Sequence, residues 1–103
     1  MLSAIDDLEA HAGDVASVLR TIGNESRLLI LCRLASQGEV TAGSLTGTGG
    51  LGQSALSQHL GRLREDGIIT YRRDGQTLWY RIADPRIESL METLRGLYCE
   101  PRV

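Results

Sequence analysis

The stretch Gln53-Ser54-Ala55-Leu56-Ser57-Gln58-His59-Leu60-Gly61-Arg62-Leu63-Arg64-Glu65-Asp66-Gly67 sorts two kinds of side chain onto two faces at helical spacing. Leu56, Leu60 and Leu63 fall on one side and Ser54, Ser57, Gln58 and Gly61 on another, so a helix runs from Gln53 to Asp66 and Gly67 stops it. Next, Ile68 to Arg73 and Gln76 to Ile82 flank Asp74-Gly75, a dipeptide suited to a two-residue type I′ hairpin. That turn predicts Tyr71 opposite Leu78, Ile69 opposite Tyr80 and Arg72 opposite Thr77, with the apolar residues sharing one face.

Working outward, Leu2, Ile5, Leu8, Ala12, Val15, Leu19 and Ile22 recur at helical spacing, which predicts one amphipathic N-terminal helix ended by Gly23. Asn24 is a good N-cap, and Leu28, Leu31, Cys32 and Ala35 make a stripe that predicts a second, mostly buried helix before Gly38. Val40 to Thr48 reads as a short third helix weakened by Gly43 and Gly47, each ~1 kcal/mol worse than alanine. Beyond the hairpin, Asp84 caps a last helix with Pro85 at its first position and Ile87, Leu90, Met91, Leu94, Leu97 and Tyr98 as its stripe. The expected order is α-α-α-α-β-β-α, mainly helical, in a single domain spanning residues 1–103.

Composition narrows the function. A chain of 103 residues suits one domain, and its longest apolar run, Leu28 to Cys32, is far short of the ~20 residues that cross a bilayer. The N-terminus MLSAIDDLEA is acidic where a secretory signal is basic, so a cytoplasmic protein with no membrane partner is expected. All 11 basic residues are arginine, against 13 acids, for a formal charge of -2. That charge is uneven: the first 52 residues and the last 22 are net acidic, whereas residues 53–81 carry five arginines against three acids.

Gly47-Thr48-Gly49-Gly50-Leu51-Gly52 matches the G-x-G-x-x-G dinucleotide pattern, with Asp74 downstream. The context opposes it, because that fold continues into a parallel strand whereas this chain enters an antiparallel hairpin. Gln53 stands where a phosphate loop has its lysine, and the chain contains no lysine at all. No cofactor is expected. No nucleophile and base pair up in the sequence, so it does not read as an enzyme.

A helix with a small polar face followed by a hairpin carrying Arg72-Arg73 is the order of a winged helix-turn-helix. A helix entering a major groove ~12 Å wide needs short hydrogen-bonding side chains outside, and Gln53, Ser54, Ser57 and Gln58 supply them. Glutamine pairs bidentately with adenine; Arg62, Arg64, Arg72 and Arg73 are candidates for phosphate contacts that position without carrying sequence information. His59 has two readings, a DNA contact or a bond to a neighbouring backbone group.

The runs Gln53 to Leu60, Arg62-Leu63-Arg64, Gly67 and Arg72-Arg73-Asp74-Gly75-Gln76, with Asn24-Glu25-Ser26-Arg27-Leu28 upstream, resemble the ArsR/SmtB family of bacterial winged-helix repressors. The resemblance covers roughly residues 15–100 and implies a homodimer built on the first and last helices, bound to a pseudo-palindromic double-stranded operator; it brings Gln76 among the DNA-contacting positions. The chain departs from the family in its five glycines between 43 and 52, including Gly52 where a capping serine is common. The family's metal sites need a cysteine pair on the DNA-binding helices or an Asp/His/His/Glu set on the last helix. Residues 41–66 have no cysteine and the last helix no histidine, so no metal site is expected.

Cys32 and Cys99 are far apart in sequence and form no C-x-x-C motif. On residue type alone, Cys32 reads as a buried small hydrophobe and Cys99 as a surface thiol, with any signal arriving through another ligand or partner. Leu31-Cys32-Arg33-Leu34 and Leu97-Tyr98-Cys99-Glu100, however, resemble the two cysteine sites of the sulfide- and persulfide-responsive branch of the family. That resemblance implies a dithiol that senses reactive sulfur or an oxidant and lowers operator affinity when crosslinked.

Overall fold

The computed structural model describes residues 7–99, so Leu2 and Ile5 of the expected first stripe lie outside the described residues. Residues 7–10 are helical, and α1 follows at Ala12–Ile22. The expected continuous first helix is interrupted at His11 (φ -106°, ψ 10°), where His11 and Gly13, both weak helix formers, fall close together. Helix α2 (Glu25–Gln37) starts where Asn24 accepts a hydrogen bond from the Arg27 N–H at 3.0 Å and ends at Gly38, whose φ of 82° suits glycine. Ile30, Leu31 and Leu34 face the interior. Cys32 and Ala35, expected on the buried stripe, are exposed, because the buried face is centred on Ile30, Leu31 and Leu34.

The expected third helix, Val40 to Thr48, is cut short at both ends. Val40–Thr41, both β-branched, form strand β1; Ala42–Leu45 form α3; and a 3-10 turn occupies Thr48–Gly50. Gly47, Gly49 and Gly50 adopt φ of 91°, 60° and 79°, values closed to most side chains, so the glycine cluster is an ordered turn leading into α4 (Gln53–Glu65).

Strands β2 (Ile69–Asp74) and β3 (Thr77–Ile82) pair antiparallel, and β1 joins the other edge of β3, giving the order β1-β3-β2. Tyr71 pairs with Tyr80, Arg72 with Trp79 and Asp74 with Thr77, a register two residues further along β3 than expected. The turn residues are Gly75 and Gln76, and Gly75 (φ 63°) is the only one with positive φ, which is the type II′ pattern rather than I′. A two-residue slip keeps every side chain on its face, so the apolar face expected for Ile69, Tyr71, Leu78 and Tyr80 survives. Helix α5 (Pro85–Tyr98) begins at Asp84, which accepts from the Arg86 N–H at 2.9 Å.

Mainly helical with a three-stranded antiparallel sheet, the chain is a winged helix-turn-helix. Its core joins Ile30, Leu31 and Leu34 of α2 to Leu45, to Leu56, Leu60 and Leu63 of α4, to Ile68 and Ile69, and to Ile87 and Met91 of α5. Helix α2 is thus the spine on which α4 and α5 both rest. Among the described residues no helix is long and apolar enough to cross a membrane.

Candidate nucleic-acid interface

Burial of Leu56, Leu60 and Leu63 fixes the rotation of α4 and turns Gln53, Ser54, Ser57 and Gln58 outward, all exposed. None of these four makes a side-chain hydrogen bond to another described residue, so the face is a row of unused donors and acceptors. Gly52 at the N-cap supplies no side-chain acceptor and the first turn holds no acid, so the first-turn N–H groups lack a side-chain cap.

His59 is half-buried, with Nδ1 3.4 Å from Arg27 Nη1; its partner is a side chain at the start of α2 rather than a neighbouring backbone group. Arg27 also donates through Nε to the Thr21 carbonyl, tying α1, α2 and α4 together. The fully buried Thr21 donates its hydroxyl to the Asp66 carboxylate, and Arg62 donates to Asp66 at 3.2 Å and to Thr21 Oγ1 at 3.4 Å. The Thr21 hydroxyl, with Arg62 and the charge of Arg27, holds the Asp66 carboxyl below its ordinary value against the opposing effect of burial.

The hairpin arginines divide. Arg73, and Gln76 at the tip, are exposed and form no side-chain hydrogen bond with described residues. Arg72 makes a two-pronged pair with Glu39, Nε to Oε2 at 2.8 Å and Nη2 to Oε1 at 3.0 Å, and its guanidinium lies 5.4 Å from the Trp79 ring centroid. The Arg72 hydrogen bond lowers the Glu39 carboxyl from its ordinary value. Arg64 sits 4.5 Å over the Tyr71 ring, and Tyr71 and Tyr80 meet at 5.3 Å. Burial pushes the Tyr80 phenol up, partly offset by Arg64.

Both cysteines are free and exposed. Cys32 lines a shallow cleft with Leu29, Arg33, Ser36, Thr48 and Gly49, and Cys99 caps the end of α5. Among the described residues no group of three His, Cys, Asp or Glu side chains is placed to hold a metal ion. The partners that sequence reasoning missed are Thr21, Arg27 and Glu39, whose roles depend on contacts made across the fold. Glu39 alone left a trace, because it precedes Thr41 by two positions and so shares its face once β1 is recognised as a strand.

The family described as "Bacterial regulatory protein, arsR family" matches residues 24–71, from the cap of α2 to Tyr71. The HTH-type transcriptional regulator YgaV of Escherichia coli is 38% identical over 95% of this chain and 99% of its own length. The reduced form of HlyU from Vibrio cholerae superposes with a TM-score of 0.82 at 37% identity, covering 91% of this chain and 98% of that one. The transcriptional repressor BigR from Xylella fastidiosa gives 0.83 at 36% identity, covering 93% and 97%. With the family match spanning α2 to α4 and relatives matched nearly end to end, the chain belongs to the arsR family of bacterial regulatory proteins and is a DNA-binding transcriptional regulator.

Proposed function

We propose that the chain is a homodimeric, sequence-specific repressor that inserts α4 into the major groove of a double-stranded operator and loses affinity when Cys32 and Cys99 are crosslinked. The observation that carries the DNA reading is the unpartnered face of Gln53, Ser54, Ser57 and Gln58 on a helix locked by three buried leucines. Glutamine at Gln58 offers a donor and an acceptor to an adenine edge, the serines bond bases or phosphates, and Arg73 and Gln76 reach the flanking backbone from the wing. His59, Arg62 and Arg72 already make contacts within the protein, which hold these side chains in place and leave each with further donors or acceptors for DNA.

The dimer is supported by apolar side chains that one chain leaves uncovered: Leu8, Val15 and Leu19 in the N-terminal helical region, and Leu97 and Tyr98, 73% and 84% exposed, at the end of α5. Two copies pairing through these helices would present two α4 helices to successive major grooves ~34 Å apart.

The redox reading is supported by two exposed thiols, one on the helix that carries α4 and one at the end of the α5 stripe. Joining them as a disulfide removes two protons and passes two electrons to the oxidant; with a persulfide, one molecule gives its outer sulfur to a cysteine and a second accepts the two electrons, so a trisulfide bridge forms as two thiols and one hydrogen sulfide leave. A link between α5 and α2 would then shift the spacing of the two reading helices. Operator binding to the DNA upstream of the chain's own gene, before and after persulfide or peroxide, with intact-mass measurement, tests both parts. Reduced protein is expected to bind and crosslinked protein to release. A Cys99→Ser protein that still releases DNA under oxidant would overturn the dithiol and leave the cysteines structural, with another ligand or partner as the signal.

A further inference from the structure

Arg72, Trp79 and Glu39 lie side by side on the sheet face opposite the Tyr71–Tyr80 core face. Arg72 pairs with Trp79 across β2 and β3, Trp79 pairs with Thr41 across β3 and β1, and Glu39 stands two residues before Thr41 on the same side. The Arg72 side chain therefore crosses over β3, passing the indole ring, to grip a carboxylate at the start of the opposite edge strand. Strand β1 has only two residues, too short to hold a sheet edge by backbone pairing alone. Glu39 takes the Nε and Nη2 edge of the guanidinium in a two-pronged pair that fixes the direction of the side chain, and the ion pair is half-sheltered, with Arg72 52% and Glu39 32% exposed at the side chain.

We propose that Glu39, Arg72 and Trp79 form a brace that sets the angle of the wing against the α2–β1 junction, so that Arg72 is a positioning residue and the adjacent Arg73 is the wing's phosphate contact. This rests on the DNA-binding reading above and assigns the two neighbouring arginines different work. Lysine cannot reproduce the two parallel bonds of the guanidinium, yet it serves a phosphate well as a point charge. The brace therefore separates from a phosphate contact in a way that charge-preserving substitution detects.

The test measures binding of the upstream duplex across a salt series for the full chain and for Glu39→Gln, Arg72→Ala, Arg72→Lys, the Glu39→Gln/Arg72→Ala double variant and Arg73→Ala. The brace predicts that the Glu39 and Arg72 single variants, Arg72→Lys included, each weaken binding at least about three-fold with an unchanged salt slope, and that the double variant is no worse than either. Arg73→Ala alone flattens the slope, by ~0.9 for each phosphate that is no longer neutralised. A flatter slope in Arg72→Ala, full retention in Arg72→Lys or tighter binding by Glu39→Gln overturns the proposal. Trp79 is the chain's single tryptophan, so its emission reports the brace without DNA. A red shift in Glu39→Gln and Arg72→Lys, with unfolding transitions still cooperative, is expected, and unchanged emission in both overturns the brace. A wild-type chain that binds no duplex, with the red shift still present in the two variants, refutes the DNA reading and leaves the brace standing.

Discussion

The reading helix and the wing carry similar polar side chains in the sequence and use them differently in the fold. On α4, packing consumes only the apolar side, and Gln53, Ser54, Ser57 and Gln58 make no side-chain hydrogen bond among the described residues. On the hairpin, one arginine of an adjacent pair is committed to Glu39 and Trp79 while the other forms no side-chain hydrogen bond among the described residues. Arg62 and Arg64 are likewise engaged, by Asp66 and by the Tyr71 ring. The positive charge of residues 53–81 therefore overstates what is available to a phosphate, and hydrogen-bonding capacity on α4 is the better guide to specificity.

The sharpest way to break this contrast is to attack the inner face of α4. Leu63 is fully buried between α2 and the start of the sheet. Leu63→Ala is expected to lower stability by about 2–5 kcal/mol, through the reduced transfer energy and the cavity left behind. Urea unfolding followed by Trp79 emission measures it. Preservation of stability would mean that the reading helix is not held by its leucines.

The outer face is tested by Gln58→Ala, expected to weaken the operator by ~1–3 kcal/mol while leaving binding to unrelated duplexes and the unfolding midpoint unchanged. Equal losses on operator and unrelated DNA would demote Gln58 to a backbone contact. Arg73→Ala gives the complementary result, a smaller and uniform loss across sequences with a flatter salt slope.

The two regions also differ in how far they are legible. The period of Leu56, Leu60 and Leu63 suffices for α4, because burying those side chains fixes the orientation of everything else on the helix. Asn24, Asp84 and Gly67 likewise act locally and work where a sequence reading puts them. The hairpin register lies two residues from its expected place because Asp74-Gly75 and Gly75-Gln76 are both competent turns, and only pairing across the whole sheet decides between them. Cys32 departs from its expected burial for a related reason. The stripe Leu28, Leu31, Cys32, Ala35 and the observed face of Ile30, Leu31 and Leu34 share Leu31 and differ by a modest rotation of the helix. The Glu39–Arg72 and Thr21–Asp66 contacts join residues dozens of positions apart, and no local pattern reveals which charge will meet which.

Asp66 supplies the smallest expected effect, and it probes the joint between α1 and α4. The Thr21 hydroxyl, then Arg62 and the charge of Arg27, depress its folded-state pKa below the ordinary carboxylate value. A depressed carboxylate contributes stability that is fully present above its unfolded pKa and is lost as pH falls through the folded one. The Asp66 contribution should therefore be intact at neutral pH and fade only in the acid range below about pH 4. Asp66→Asn should remove that part of the acid limb, so that the stability difference between variant and wild type shrinks as pH drops. Because Thr21 is fully buried, asparagine must still accept its hydroxyl hydrogen bond, and a variant that keeps this bond loses only the charge-dependent part. Thermal melts from pH 7 to pH 3 distinguish the cases: a gap that closes toward acid assigns the effect to the carboxylate charge, whereas a gap constant with pH makes Asp66 a neutral hydrogen-bond acceptor for Thr21 and uncouples it from Arg62.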